Sequence, residues 1–357
     1  MNGAPIRTIR SGHMIPGPFL LYLGSRTEPA DVKTSRGLAE FRREDCLGEF
    51  RHDASTLTLG LPRMTMAEAA TAGARTLILG IASAGGKLGE ELVADAVAAL
   101  EAGLNVAAGM HERLRNEPRL ASLAAERGLQ LFDVRDVPPG LVVGNGYHRA
   151  GKRLLTVGTD CSVGKMYSTL ALTRALQARG ITADFRATGQ TGILIAGDGV
   201  PVDAVVADFI SGAIERLAPA RNDDGWDLIE GQGSLFHPSF AGVSLGLLHG
   251  AQPEALVLCH EPERPHMRGI PGRALPGLEE TLSRNLEAAR LTSPNVRAVG
   301  ICLNTSRLDP ARAESACRQT EDRLGLPCTD PMAFGVEAII DGMLCAERSA
   351  SATTVSL

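Results

Sequence analysis

Aromatic side chains and closely spaced cysteines are scarce in this sequence, and each shortage argues against a class of protein. Phe, Trp and Tyr make up only 4% of the 357 residues. This argues against an aromatic-rich binding face and favours close packing of helices on sheets. The seven cysteines form no CxxC pair, which argues against a structural zinc site and is typical of reduced thiols in the cytoplasm.

Excess charge and long apolar runs are also missing. The 36 basic and 41 acidic residues give a net charge of −5, so we expect neither a nucleic-acid partner nor attraction to an anionic membrane. No apolar run approaches the ~20 residues needed to cross a bilayer, and proline, glycine and charge interrupt the opening segment. We therefore expect a cytoplasmic protein with small-molecule substrates.

Alternating apolar runs and segments of helical spacing indicate two α/β domains. In the first half, the runs "TLILGI", "LNVAAG" and "LQLFDV" alternate with the helical segments "GEELVADAVAALEAG" and "PRLASLAAERG". This order predicts a parallel sheet covered by helices. A polar stretch with two prolines at 136–152 marks a junction, so we predict domains at 1–150 and 151–357.

The second half opens on the apolar run "LLTVG", which leads into "GTDCSVGKMYS" and then into the helical segment "KMYSTLALTRALQARG". Later apolar runs predict further strands, and two segments of helical spacing predict covering helices. The predicted strands are "DAVVADF", "DLIEGQG", "EALVLCH" and "AVGICLN", and the predicted helices are "LEETLSRNLEAARL" and "ARAESACRQTEDRLG".

The glycine-rich loop between strand and helix predicts a phosphate site. Gly158 and Gly164 allow main-chain N–H groups to converge on phosphate oxygens, the following helix adds its positive end, and Lys165 adds a point charge. Enzymes that cleave nucleoside triphosphates place a Ser or Thr after this lysine to hold Mg²⁺, whereas this chain has Met166. Neither Tyr167 nor Ser168 inherits that position, because successive helical side chains point about 100° apart. The loop therefore suits a diphosphate that is bound and not cleaved.

The spacing G-T-D-x-x-V-G-K resembles dethiobiotin synthetase and its P-loop relatives. By this resemblance Glu230 in "DLIEGQGS" occupies the place of a catalytic or metal-binding acid, and Asn304 in "GICLNTS" that of an asparagine that reads adenine. A wider similarity also includes "DVKTSRGL", "GIASAGGKLGEEL", "GLNVAAGMHERL" and "TGQTGILIAGDGVPVDAVVADFISGAIE". Together these segments resemble a two-domain P-loop family that includes D-glutamate N-acetyltransferase.

This resemblance implies a Rossmann-like first domain, a P-loop second domain, acetyl-CoA as donor and a D-amino acid such as D-glutamate as acceptor. Glu230 is the first candidate for the base that accepts the ammonium proton, with Asp160 as the alternative and Lys165 as the catalytic cation. A structural role for Glu230, fixing a lysine or a loop amide, stays open. The predicted cofactor-binding residues are Gly158, Thr159, Asp160, Cys161, Ser162, Val163, Gly164, Lys165, Met166 and Asn304.

The first domain supplies the predicted substrate-binding residues, which lie in loops that a carboxylate could reach. They are Lys33, Thr34, Arg36, Ser83 and Lys87. Cys161 as an acetyl carrier and His111, His237 or His260 as base are weaker alternatives. The glycine-rich stretch at 188–215 suggests a homo-oligomer. Two other functions stay open: an ATP- and Mg²⁺-dependent ligase or kinase of a small carboxylate, and a nucleotide-sensing protein without chemistry. The acyl-transfer hypothesis requires no metal ion, and binding of Mg²⁺ stays open.

Overall fold

The computed structural model describes residues 15–29, 31–81 and 86–354, with side chains as far as residue 345. Ser83, one of the predicted substrate-binding residues, lies outside the described residues. Across the described segments, no helix combines the length and apolarity that crossing a membrane requires.

The chain folds into two compact units. Among the described residues, the first unit contains those from 15 to 137 and also the later segment Gln190–Ala204; the second contains Pro138–Gly189 and residues 205–354. The sequence did not indicate that a segment from the middle of the second half joins the first unit. The proposed boundary between residues 150 and 151 stays a prediction.

The first unit is built on a five-stranded parallel sheet in the order β2-β1-β3-β4-β5. Its strands are β1 (Phe19–Gly24), β2 (Cys46–Arg51), β3 (Thr76–Leu79), β4 (Asn105–Ala108) and β5 (Leu131–Asp133). Its helices are α1 (Lys33–Phe41), α2 (Met66–Thr71), α3 (Glu90–Glu101), α4 (Pro118–Arg127) and α6 (Gln190–Ala196). Every residue of β1 and β3 is buried, as expected for strands covered by helices on both faces.

The second unit is built on a six-stranded parallel sheet in the order β11-β10-β9-β6-β8-β7. Its strands are β6 (Lys152–Gly158), β7 (Ala183–Arg186), β8 (Trp226–Ile229), β9 (Ala255–His260), β10 (Arg297–Leu303) and β11 (Cys328–Thr329). Its helices are α5 (Lys165–Ala178), α7 (Ile210–Leu217), α8 (Ala241–Ala251), α9 (Leu278–Arg290), α10 (Pro310–Leu324) and α11 (Glu337–Thr354). Trp226, fully buried, joins the core of this unit.

Local sequence signals explain where several of these helices begin and end. The Asp309 side chain accepts a hydrogen bond from the Arg312 N–H (3.0 Å) at the start of α10, and Pro310 occupies the first helical position, where no N–H is needed. Gly325 ends α10 with φ 64°, a conformation that glycine adopts without strain. The helix predicted from "ARAESACRQTEDRLG" is therefore confirmed.

The prediction of a strand over 203–209 is wrong. This segment forms two short 3-10 turns, Val202–Ala204 and Ala207–Phe209. A strand inside a parallel sheet must be buried on both faces, but the Asp203 side chain is 34% exposed and Val206 is 66% exposed. The apolar run is thus too interrupted to enter the sheet, and the edge position beside β8 is taken by β7.

In each sheet, one point marks where the chain reverses the direction in which it adds strands. In the first sheet it lies between β1 and β3, and in the second between β6 and β9. Crevices for ligands form at the carboxyl ends of the two strands that flank such a point. The loops after these four strands are therefore where functional side chains should be sought.

Candidate functional site

The loop at 159–164 joins β6 to α5 and has the shape of an anion cradle. Ser162 and Gly164 have positive φ angles of 56° and 103°. The carbonyl oxygens of Cys161 and Ser162 accept hydrogen bonds from Arg264 (2.7 and 2.8 Å). Because the N–H of a trans peptide points away from its C=O, the Ser162 and Val163 amides face the opposite side of the loop, where an anion would meet them.

Lys165, the first residue of α5, lies with its ammonium group folded back onto main-chain oxygens. Nζ donates to the carbonyl oxygens of Asp160 and Gly233, both at 2.8 Å. Burial lowers the pKa of Lys165 below its usual value. A bound phosphate would favour the charged form of this lysine, so the group is suited to an anionic ligand.

Asp160, the alternative base, is engaged in holding the loop. Its side chain is fully buried, and Oδ2 accepts hydrogen bonds from Arg264 Nη1 and from the Arg268 main-chain N–H, both at 2.8 Å. Arg264 also pairs with Glu261. These contacts favour a structural role for Asp160, because its Oδ2 is occupied in holding the loop. Sequence reasoning missed Arg264 and Arg268, although both lie in the loop after an apolar strand.

The histidines near the loop are already hydrogen-bonded. His260 Nδ1 lies 2.9 Å from Thr159 Oγ1, and burial, aided by Arg264 and Arg323, lowers the pKa of His260 to about 4. His237 Nε2 lies 3.0 Å from the Arg268 carbonyl oxygen, and its Nδ1 accepts the Ser239 N–H at 3.2 Å. Both rings thus support the loops around the site.

Glu230 follows directly after β8 and is buried, with 4% of its surface exposed. Oε2 accepts the main-chain N–H groups of Thr188 (3.0 Å) and Gly189 (3.1 Å), and Oε1 accepts from Gln232 Nε2 at 3.1 Å. Burial raises the pKa of Glu230 to about 7, although these donors and Lys165 oppose the shift. The carboxylate therefore fixes loop amides, and it can also exchange a proton near neutral pH.

The turn after Glu230 packs tightly against β6 and Lys165. A Cβ atom on Gly231 would lie 1.7 Å from the Thr156 carbonyl oxygen and 3.0 Å from Lys165 Cδ, so only glycine fits. The Gly231 N–H donates to Thr156 Oγ1 (3.0 Å). This contact brings the strand end that carries Glu230 against the phosphate loop, as the sequence predicted for these two motifs.

The Ser168 hydroxyl does not take the place of the hydroxyl that is missing at position 166. Ser168 is buried, and its Oγ donates to the Gly164 carbonyl oxygen within α5 (3.1 Å). Met166 itself is half-buried. Asn304, the predicted adenine-reading residue, lies beside the loop, since its Cβ is 3.6 Å from the position that a Cβ on Gly164 would occupy.

Within the part of the chain that the structure describes, two groups of side chains have the composition of metal ligands. Near the loop, a carboxylate oxygen of Asp160, Cys161 Sγ and a ring nitrogen of His237 lie within 4.8 Å of one another; in the first unit His52, Glu91 and Asp95 do so. The two nitrogens of His237 already have main-chain partners, so a metal ion would have to displace one of them. The absence of a metal requirement stays a prediction.

The substrate-binding residues predicted in the first unit follow the two strands at its reversal point. Lys33, half-buried, and Arg36, exposed, lie in α1 after β1, and Lys87, exposed, lies in the loop after β3. The Ser35 N–H donates to the Gly80 carbonyl oxygen (3.2 Å) and joins these two loops. Thr34 differs from the others, because it is buried and its Oγ1 lies 2.7 Å from Thr191 Oγ1.

Comparison with known protein families agrees with both units. A P-loop domain of unknown function, DUF1611, matches residues 141–340, and the Rossmann-like domain of unknown function DUF1611_N matches residues 46–137. The chain belongs to the DUF1611 family. The two-domain resemblance and the α/β fold inferred from sequence are thereby confirmed.

Curated relatives share nearly the whole length of the chain. A D-glutamate N-acetyltransferase from a Pseudoalteromonas species is 47% identical over 91% of this chain and 98% of its own length. A second, from Tritonibacter scottomollicae, is 48% identical over 92% of this chain and 99% of its own. The crystal structure of a DUF1611 family protein from Anabaena variabilis is 33% identical, with a TM-score of 0.84 over 91% of this chain and 98% of its own.

Proposed function

We propose that this protein transfers the acetyl group of acetyl-CoA to the amine of D-glutamate or a related D-amino acid. The observation that carries this proposal is the 47–48% identity with two curated D-glutamate N-acetyltransferases over more than nine-tenths of the chain. Similarity of this extent covers both units, including the phosphate loop and Glu230. The substrates are small molecules.

The phosphate loop is proposed to anchor CoA. The phosphates of CoA are not cleaved during acyl transfer, so a loop with Met166 in place of a Mg²⁺-binding hydroxyl is suited to them. The amides of Ser162 and Val163 and the ammonium group of Lys165 would contact these phosphates. Asn304, which lies beside Gly164, is proposed to contact the adenine.

The chemical step needs an amine without its extra proton. In the proposed reaction the amine nitrogen attacks the thioester carbonyl carbon, the carbon–sulfur bond breaks, and CoA leaves as the thiol when its sulfur takes the second proton that the amine nitrogen loses. Glu230 is proposed to accept the proton of the acceptor ammonium, since its pKa of about 7 lies where a general base works efficiently at neutral pH. Lys33 and Lys87 are proposed to bind acceptor carboxylates.

The test is an assay of acyl transfer with a panel of acceptors. The purified protein is incubated with acetyl-CoA and with matched D- and L-amino acids, while thiol release and the mass of the product are followed. We expect turnover with D-glutamate and much less with L-glutamate. Lys165→Ala should abolish binding of CoA, measured by calorimetry, because the loop loses its central cation.

The same samples test the ligase hypothesis. Phosphate release from ATP and Mg²⁺ that depends on an acceptor, without thiol release from acetyl-CoA, would overturn the acyl-transfer proposal. Tight nucleotide binding without any product would favour a nucleotide-sensing protein.

A further inference from the structure

The loop after β9 carries three arginines, which differ in how they contact the phosphate loop. Arg264 is 12% exposed at its side chain and is saturated by Asp160, Glu261 and two loop carbonyls. Arg273 forms the base of a hairpin through its main chain, because its carbonyl oxygen accepts the Met267 N–H at 2.8 Å. Arg268 lies between them in sequence and directly follows Met267 in the same hairpin.

Arg268 is fixed at the rim of the phosphate loop by two contacts. Its main-chain N–H donates to Asp160 Oδ2 (2.8 Å), and its Nη1 donates to Ser162 Oγ (2.7 Å). Ser162 is the exposed residue of the loop with φ 56°. The Arg268 guanidinium group thus contacts the side chain of Ser162, and the main-chain amide of Ser162 faces the anion cradle.

The guanidinium of Arg268 keeps most of its donors available. A guanidinium has five N–H donors, and one of them is used here, on a neutral hydroxyl. The described residues place no carboxylate within 4.0 Å of it, whereas Arg264 has two such partners. The side chain is also exposed. An arginine without a carboxylate partner, held at the Ser162 side chain of the phosphate loop, has donors left for bidentate contact with a phosphate.

The balance of charge around the loop points to the same kind of ligand. Two carboxylates, Asp160 and Glu261, are matched by two guanidinium groups, Arg264 and Arg307. Beyond these pairs, the loop carries the positive end of α5, Lys165, whose charge acts on the nearby Glu230 carboxyl, and Arg268, which has no carboxylate partner among the described residues. An anion with two or more charges would offset them.

The geometry points to Arg268 as a cofactor-binding residue that grips the phosphates of CoA from the rim of the loop. This inference rests on the proposed function for the identity of the donor. The main-chain N–H of residue 268 holds Asp160 whatever the side chain is. A change of the side chain therefore removes the phosphate contact and leaves the loop anchored.

Arg268→Gln is tested with two donors, acetyl-CoA and the truncated thioester S-acetyl-N-acetylcysteamine, which carries no phosphate. With acetyl-CoA we expect KM to rise by about 10- to 100-fold at nearly unchanged kcat, the range that corresponds to one lost charge-assisted hydrogen-bond pair. With the truncated donor the variant should match the wild type. Arg268→Lys keeps the positive charge but loses the two parallel N–H donors of the guanidinium group. Its KM for acetyl-CoA should therefore lie between those of the wild type and Arg268→Gln.

The matched control is Arg273→Gln, on the same hairpin, which should leave KM for both donors unchanged. Binding supplies a readout independent of turnover. CoA and inorganic diphosphate should raise the melting temperature of the wild type and of Arg273→Gln, and raise it less for Arg268→Gln. The melting temperature of Arg268→Gln without ligand should equal that of the wild type, because the main-chain anchor remains.

Three results would overturn the inference, and the first two are distinct from failure of the proposed function. KM for acetyl-CoA could be unchanged in Arg268→Gln, or the loss could be equal with both donors, or CoA could fail to bind the wild type. The last result would also overturn acetyl-CoA as donor. If CoA binds through Arg268 but D-glutamate is not acetylated, the acceptor is wrong and the inference stands.

Discussion

At the scale of single residues, Glu230 combines two properties that the sequence left as alternatives. It fixes the amides of Thr188 and Gly189, and burial raises its pKa to about 7. The sequence placed this glutamate at the end of a buried strand beside the phosphate loop. The sequence alone could not predict the raised pKa, because the pKa depends on tertiary contacts. Glu230 is buried in the folded unit, and its two amide donors belong to Thr188 and Gly189, which lie about 40 residues earlier in the chain.

The pKa of Glu230 predicts how turnover depends on pH. A general base works only when deprotonated, so kcat at saturating substrates should rise with pH, with a slope near one, and level off above about pH 7. Glu230→Gln should lower kcat by about 10²- to 10⁴-fold and remove this inflection. The measurement is kcat from pH 5.5 to 9 for both proteins. An inflection that survives in the variant would assign the base to another residue.

The same pKa predicts a change in stability. A carboxyl whose pKa is higher in the folded than in the unfolded protein stabilises the fold when protonated, and this contribution is lost as pH rises from about 4.5 to about 7. The loss is about 3 kcal/mol for this shift. His260 acts in the opposite direction, since its lowered pKa of about 4 makes the fold gain stability as pH rises from about 4 to 6.5.

The difference between wild type and Glu230→Gln isolates the glutamate, because both proteins contain His260. The free energies of unfolding from urea titrations at pH 5 and pH 8 should show wild type losing about 2.5 kcal/mol relative to the variant, since part of the loss occurs below pH 5. A difference that does not change with pH would mean that Glu230 titrates near its ordinary value in the folded protein.

At the scale of secondary-structure elements, periodicity was most informative where helices are long and strands are fully apolar. It gave α3, α4, α5, α9 and α10 and the strands at the phosphate loop. Periodicity did not predict β1 or β7. These strands have six and four residues, and in so short a run the spacing of apolar residues does not distinguish a buried strand from a buried helix. The role of Arg264 was also beyond the sequence, because three arginines share one loop and only the tertiary fold selects among them.

The contacts of Arg264 predict that this one side chain holds the phosphate loop. Arg264→Met would leave the buried Asp160 carboxylate without its cation and the carbonyls of Cys161 and Ser162 without donors. We expect a loss of about 3 to 5 kcal/mol in the free energy of unfolding, the cost of breaking a buried ion pair. Arg307→Met is the control, since Arg307 is 69% exposed and pairs with Glu261 from the surface. It should cost at most about 1 kcal/mol.

The double variant Arg264→Met/Asp160→Asn distinguishes an unpaired charge from lost packing. If the buried carboxylate causes the damage, neutralising it should recover part of the stability lost in Arg264→Met. The stabilities of the wild type, Arg264→Met, Arg307→Met and the double variant are compared by their midpoints of denaturant unfolding. Equal stability of Arg264→Met and Arg307→Met would contradict the prediction that the Arg264 side chain holds the phosphate loop.

At the scale of the whole molecule, the segment at 190–204 makes the first unit discontinuous in sequence. Thr191 Oγ1 lies 2.7 Å from Thr34 Oγ1, the Leu194 carbonyl oxygen accepts from Arg42 Nη1 (3.1 Å), and Asp203 pairs with Arg135. A Cβ on Gly109 would lie 2.0 Å from Gln190 Oε1. The first unit is therefore incomplete without a stretch that lies beyond β7.

This discontinuity predicts how fragments behave. Residues 15–137 alone should unfold at lower urea concentration and with a smaller slope than the same fragment carrying 190–204 on a flexible linker. Leu194 and Ile195 are nearly fully buried, and their burial is worth about 3 to 6 kcal/mol, a large share of the about 5 to 15 kcal/mol that stabilises a typical domain. A linker carrying the same fifteen residues in scrambled order is the matched control. Equal unfolding curves for the bare fragment and for the fragments with the native and the scrambled segment would contradict this prediction. They would show that the first unit folds without α6 and that residues 15–137 form a complete, continuous folding unit.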